Sequence, residues 1–378
     1  MQNGLVRRRQ RLVDLRRTGG CLIGHLGAAT ALLSCWAVAS AALAADAGGP
    51  ARQTAVETSS PDRAMAVKNL AYTTNQNSET VSIVGLGGRT APMSVLAEIK
   101  VPGKPAGIAL SPDRKTIYVT APEAKELVVI DASSRKIRTR IPAGQGPLGI
   151  AVNPVTGAIL VADRYEHKLR VIDPATLQLT AEVATGKSPS GIAITRDGKL
   201  ILTADRDSNQ VSIIDAATLQ VTAAVPVGDR PFGITVDAAG TRAYTANVRS
   251  DDVSVVDIPS ARTIATYKVG RRPYAVALAS GKAFVTDQYA GTVTVVDLSS
   301  GKTIKSIPVG EHPEGIEADA SGRHLYVACW MENTLERIDS TTLKVTGKVE
   351  VGDGPRAFGA FLDAAGQDAA RASPKDAH

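Results

Sequence analysis

Cysteine is scarce in this chain of 378 residues, with Cys21, Cys35 and Cys329 as the full set. No two of them stand at C-x-x-C spacing, and the five histidines contain no H-x-x-x-H pair. That argues against a dedicated zinc or haem site, so no cofactor is expected and any metal site is left unassigned. A G-x-S-x-G nucleophile elbow is also missing, which removes the usual serine-hydrolase signature. Aromatic residues make up only 4% of the chain, so its core must be aliphatic. Amphipathic helical spacing is lacking beyond the first residues.

An excess of charge is lacking too, once the N-terminus is set apart. Residues 1–44 carry six arginines and one aspartate, a net of +5, which leaves +1 of the formal +6 for the remainder. The segment reads as an export signal: a basic "VRRRQRLVDLRR", an apolar run from Cys21, and small residues at Ala42–Ala44. Cleavage after Ala44 predicts a periplasmic protein with no membrane contact, and only Cys329 then remains, so no intrachain disulfide can form. Residues 45–63 read as a flexible linker, and 364–378 as a disordered tail. Near neutrality also argues against strong nonspecific binding to nucleic acid.

What is there is a repeat. A proline recurs at 105, 147, 189, 231, 273, 313 and 355, with steps of 42 residues and a single step of 40. An aspartate follows the same rhythm at 131, 173, 215, 257, 297 and 339. Each unit holds three β-branched runs and a weaker alternating one, such as "SGIAIT", "LILTAD", "QVSIIDA" and "LQVTAAVPV". Turn signals separate them. Four short antiparallel strands in about forty residues make a propeller blade. The fold class is therefore all-β, a seven-bladed β-propeller over residues 64–363. Its last blade takes strands from both termini, because the seventh unit stops after "RAFGAFL" and the missing strands lie at 69–101.

The second strand of each unit ends in "YTTN", "YVTA", "LVAD", "LTAD", "YTAN", "FVTD" or "YVAC". These tetrapeptides, each following a "P-x-G-I-A"-like segment, resemble the YVTN-repeat β-propeller family, which includes YncE-like periplasmic proteins. The resemblance covers nearly the whole exported part. It implies the fold strongly and activity only weakly, since the family includes binders and proteins of no assigned role; relatives are associated with DNA binding and occur beside periplasmic oxidation systems.

Recurrence in every blade is a mark of structure, so function is sought where blades differ. The acids and amides ending the second strand (Asp163, Asp205, Asn247, Asp287) are read as turn-bonding residues. Gly107, Gly149, Gly191, Gly233 and Gly315 are read as allowing close blade packing. The loops around one mouth of the central channel carry the blade-specific residues Arg230, Phe232, Arg249, Arg271, Arg272, Tyr274, Tyr289 and Trp330. Arginine offers planar contacts to carboxylate or phosphate, and adjacent rings offer a stacking surface. These eight are the expected ligand-binding residues of a monomeric, non-catalytic binder. Its partner would be an anionic small molecule, single-stranded nucleic acid or a periplasmic protein. The alternative is a metal-dependent lactonase using Glu314, because "EHPEG" in the sixth unit bears some likeness to gluconolactonase-type propellers. An accessory role in a periplasmic oxidation system is the remaining reading.

Overall fold

A computed structural model describes residues 69–88 and 91–363, and the expected signal, linker and tail lie outside them. Within the described residues there are strands and turns but no helix. The strands form seven sheets of four, with a fifth short strand added to one of them. In the third blade the order is Pro189–Ile194, Leu200–Asp205, Gln210–Asp215 and Gln220–Pro226, here called strands a to d. The a strands of neighbouring blades pack on one another around the axis, and the d strands form the exposed perimeter. The seven-bladed propeller expected from the repeat is the fold observed.

The seventh blade closes as the repeat count requires. Leu70–Asn75, Thr80–Gly85 and Ser94–Lys100 supply strands b to d, and Leu362–Asp363 pairs with Leu70 and Ala71 as strand a. The 40-residue step is explained by blade five, where Ala279 pairs directly with Lys282. Only Ser280 and Gly281 connect the two strands, both at positive φ (48° and 70°). That is a two-residue hairpin turn of the primed kind, whose twist suits paired strands.

Repeat residues do structural work. A side chain at Gly149 would place its Cβ 1.8 Å from the Ser190 carbonyl of the next blade. At Gly315 the corresponding contact, with the Ala357 carbonyl, would be 2.1 Å. Both distances are far inside van der Waals contact, so blades approach this closely only through glycine. The third letter of the YVTN-like tetrapeptide has its own role. Thr74, Thr120 and Thr286 each donate a hydrogen bond of 2.7 Å to a carbonyl in the next blade, that of Ala106, Leu148 and Glu314 respectively. Blades with alanine at this place lack the bond.

The acids ending strand b are buried and bond the turns around them, as the repeat suggested. Asp163 accepts from the backbone N–H groups of Gln145, Gly146, Tyr165 and Glu166. Asp205 accepts from Ser212, Thr203 and Gly186. Asp287 keeps one orphan oxygen, and burial pushes its carboxyl up to about 6 despite bonds from Thr294 and Thr292. The oxygen that Thr203 serves in Asp205 is the orphan one here, because Val285 stands at the equivalent place. The aspartates ending strand c cap the following turn; Asp215 accepts from the N–H of Ala217 and Thr218.

Candidate ligand site at the channel mouth

Two repeat positions build the mouth. One is the residue after the recurring proline, whose side chain enters the channel. Ala106, Leu148 and Ser190 fill it in blades one to three, Phe232 and Tyr274 in four and five, Glu314 and Arg356 in six and seven. The other is the residue just after strand b, half-buried in all seven blades. It is Arg164, Arg206 and Gln288 in blades two, three and five, Trp330 in blade six, and Gln76, Pro122 and Val248 elsewhere. The same backbone geometry thus presents apolar side chains on one arc and charged ones on another.

The channel is closed by aromatic rings. Phe232 and Tyr274 lie 4.3 Å apart between centroids, and Phe358 completes a cluster at 4.9 Å from Phe232 and 5.9 Å from Tyr274. Phe232 is 7% exposed and Tyr274 6%, so they form no open stacking surface. The expectation that these two rings would stack a ligand is corrected: inward projection toward the axis buries them, as it buries Leu148 at the same place. Phe358 reaches the axis through a local insertion. Between the pairs Asn75↔Pro355 and Ala71↔Leu362, the chain holds two residues more than the matching stretch of blade six. The extra length forms a short parallel pairing of Phe358–Gly359 with Gly107–Ile108 in blade one.

Beside these rings, at the same repeat position in the next two blades, lies a polar floor. Glu314 is 2% exposed and accepts a 2.9 Å bond from Gln288 Nε2 through Oε1. Its Oε2 lies 3.3 Å from Arg356 Nε, a charge contact not aligned as a hydrogen bond. Burial raises the Glu314 carboxyl above its ordinary range, opposed by the Arg356 charge. Tyr274 Oη is buried facing Glu314, and burial raises this phenol as well, opposed by the positive charges of Arg356 and Arg206 and reinforced by Glu314. Tyr274 Oη, Glu314 Oε2 and Arg356 Nε therefore sit together, two donors facing one acceptor, in contacts that are not aligned as full hydrogen bonds.

The rim has its own order. The Arg272 guanidinium lies 4.4 Å over the Tyr289 ring, Tyr289 stacks on His312 at 5.3 Å, and His312 on Trp330 at 6.3 Å. Tyr289 is 49% exposed, so this column faces solvent. Arg230 and Arg206 share Asp207 at 3.9 Å each, and Arg249 pairs with Asp229 at 3.7 Å. Arg271 is exposed beside Arg272. The structure thus separates the eight expected residues into a rim group and two channel rings. Arg164, Arg206, Gln288 and Arg356 escaped the sequence reading. Their signal was there: two register positions, one directly after strand b and one after the proline, turning polar in particular blades.

Cys329 is fully buried, and burial pushes its thiol up to about 12, which suits an inert side chain. Among the described residues, no three His, Cys, Asp or Glu side chains converge as metal ligands.

Residues 151–266 match the family described as lactonase, 7-bladed β-propeller. That is less than a third of the chain. No curated protein matches it. Among solved structures, the hydrazine synthase of Kuenenia stuttgartiensis superposes with a TM-score of 0.61 at 19% identity, over 68% of this chain and 89% of that one. A functionally unknown protein from Desulfotomaculum acetoxidans gives 0.64 at 18%, over 76% and 99%. At these identities the likeness carries the propeller fold and no chemistry.

Proposed function

We propose that this propeller binds an anionic ligand at the channel mouth, as an exported, YVTN-type binding protein. The observation that carries the reading is the inner ring's charge. Arg164, Arg206 and Arg356 face the mouth, while the one buried carboxylate among them, Glu314, is matched by Arg356 and Gln288, and the exposed Asp207 lies 3.9 Å from Arg206. Guanidinium groups on a half-buried wall, where water competes less, hold a carboxylate or phosphate more firmly than surface charges do. Arg271 and Arg272 on the rim would draw such an anion inward.

The test uses Trp330, the one tryptophan after residue 44, as a fluorescence reporter at the mouth. Mono- and dicarboxylates, phosphates and short oligonucleotides are titrated at two salt concentrations. Arg164→Ala with Arg206→Ala is expected to weaken binding at least tenfold, while Arg138→Ala on the outer strand Lys136–Pro142 changes nothing. Equal binding by both variants would remove the mouth from consideration. Strong preference for oligonucleotides would make nucleic acid the ligand.

A second reading is favoured by the lactonase-family match. A hydrolase would place Glu314 at the reacting carbonyl and need a metal or water activated there. Lactone hydrolysis with and without added divalent metal, lost in Glu314→Gln, would establish it.

A further inference from the structure

The face opposite the mouth holds a cavity of about 450 Å³ in the seam between blades six and seven. A notch of about 390 Å³ opens at the matching seam between blades three and four, so ring geometry alone produces the space. What differs is the lining. Cross-strand register places His324 and Arg337 of blade six where blade three has Leu200 and Ile213. In all six other blades the Arg337 place is apolar and buried: Ile83, Val129, Val171, Ile213, Val255 and Val295. Putting a guanidinium there gives up apolar burial and takes a charge partly out of water. The fold does not ask for it.

Among the described residues, Arg337 meets neutral oxygens only. Its Nε donates to Thr346 Oγ1 at 3.1 Å, and its outer nitrogens to the carbonyls of Thr346 at 3.3 Å and Leu86 at 3.4 Å, with the Tyr326 phenol beside it. Three bonds leave two of its five N–H groups uncommitted, and leave its charge without a negative partner. The two acids of the cavity are engaged elsewhere. Asp319 accepts from Ser321 and from the Arg323 N–H, and its other oxygen lies 3.0 Å from His324 Nδ1. Asp339 accepts from the N–H groups of Thr341 and Thr342. Arg323, 62% exposed and 3.6 Å from Asp339, adds a second guanidinium at the opening.

We propose that this cavity binds a phosphoryl group, with Arg337 as its inner anchor and Arg323 and His324 at its opening. Donors arriving from strand b, strand c and the loop between strands a and b suit a tetrahedral oxyanion; a flat carboxylate is satisfied by a single guanidinium fork. The cavity has room beyond one phosphate, so the phosphoryl group is free inorganic phosphate or the end of a small phosphomonoester. The site is separate from the mouth and stands whether or not the mouth binds anions.

The test is calorimetry on the full chain with inorganic phosphate, glycerol phosphate and succinate at constant ionic strength. Arg337→Val restores the residue of four other blades and should fold, yet bind phosphate at least tenfold more weakly. Arg323→Ala alters only the exposed opening and should weaken phosphate about threefold, which keeps the test valid if Arg337→Val misfolds. Arg164→Ala with Arg206→Ala, at the mouth, should leave this phosphate binding in place. Tighter binding of glycerol phosphate than of phosphate identifies the phosphomonoester as the source, and equal binding identifies free phosphate. Succinate binding more tightly than either, no phosphate binding at millimolar concentration, or full binding in folded Arg337→Val or in Arg323→Ala would each overturn the proposal.

Discussion

Glu317 offers the clearest link between ring closure and a measurement. It lies on strand a of blade six, Pro313–Ala318, and its Oε2 accepts from the N–H of Phe361 at 2.6 Å and of Leu362 at 2.8 Å. It thus clasps the strand that closes the ring. Burial pushes this carboxyl up from 4.5 to about 7, against the two backbone bonds and the Arg114 charge. Each tenfold change in proton affinity is worth about 1.4 kcal/mol, so the shift corresponds to roughly 2–3 kcal/mol after allowing for its partly solvated edge. The direction follows from proton counting. Between pH 4.5 and 7 the folded chain holds a proton that the unfolded chain has released. The stabilisation is therefore full below about pH 4.5 and is lost as pH rises through 7. Glu317→Gln stays neutral and keeps an amide oxygen for the two N–H groups. Urea denaturation of parent and variant at pH 5 and pH 8 should show the variant gaining roughly 1–3 kcal/mol relative to the parent between the two. Other buried acids such as Asp287 and Glu314 titrate in both proteins and cancel from the difference. A variant-minus-parent difference that is the same at both pH values would refute the reasoning.

Gly149→Ala should cost at least 2–3 kcal/mol in denaturant, since its Cβ would meet backbone at 1.8 Å rather than a yielding side chain, whereas Gly88→Ala, with nothing within 4 Å, should be neutral. Cys329 should resist thiol reagents in the native protein at pH 8 and react once urea unfolds it; rapid native labelling would contradict the burial that holds its thiol near 12.

The blade count was legible because it depends on spacing, and spacing survives variation in side chains. The strand-b acids were legible for a related reason: Asp163 and Asp205 recur, and the turns they bond recur with them. Phe358 was not legible. Its two extra residues fall in the partial seventh unit, where no following strand in the sequence fixes the register. Phe232 and Tyr274 were placed in the right loops, but their direction was misjudged. The alanine and leucine at the same place, Ala106 and Leu148, already marked it as a position that faces other side chains. Arg164 and Arg206 were overlooked because a single arginine beside a turn aspartate looks like rim decoration until the ring is assembled. Arg356 and Glu314 hold the same position in neighbouring blades, 42 residues apart, so their meeting follows from blade packing once the partial seventh unit is counted as a blade.

The aromatic plug turns the axial passage into a cul-de-sac. A guest bound at the mouth, as proposed above, would then enter and leave on one side rather than pass from face to face. Occupancy is then governed by a single entrance, and anything that docks over that entrance would trap the guest or be barred by it. On that reading the opposite face takes no part in binding that guest. It is left free to rest against another surface without obstructing the site.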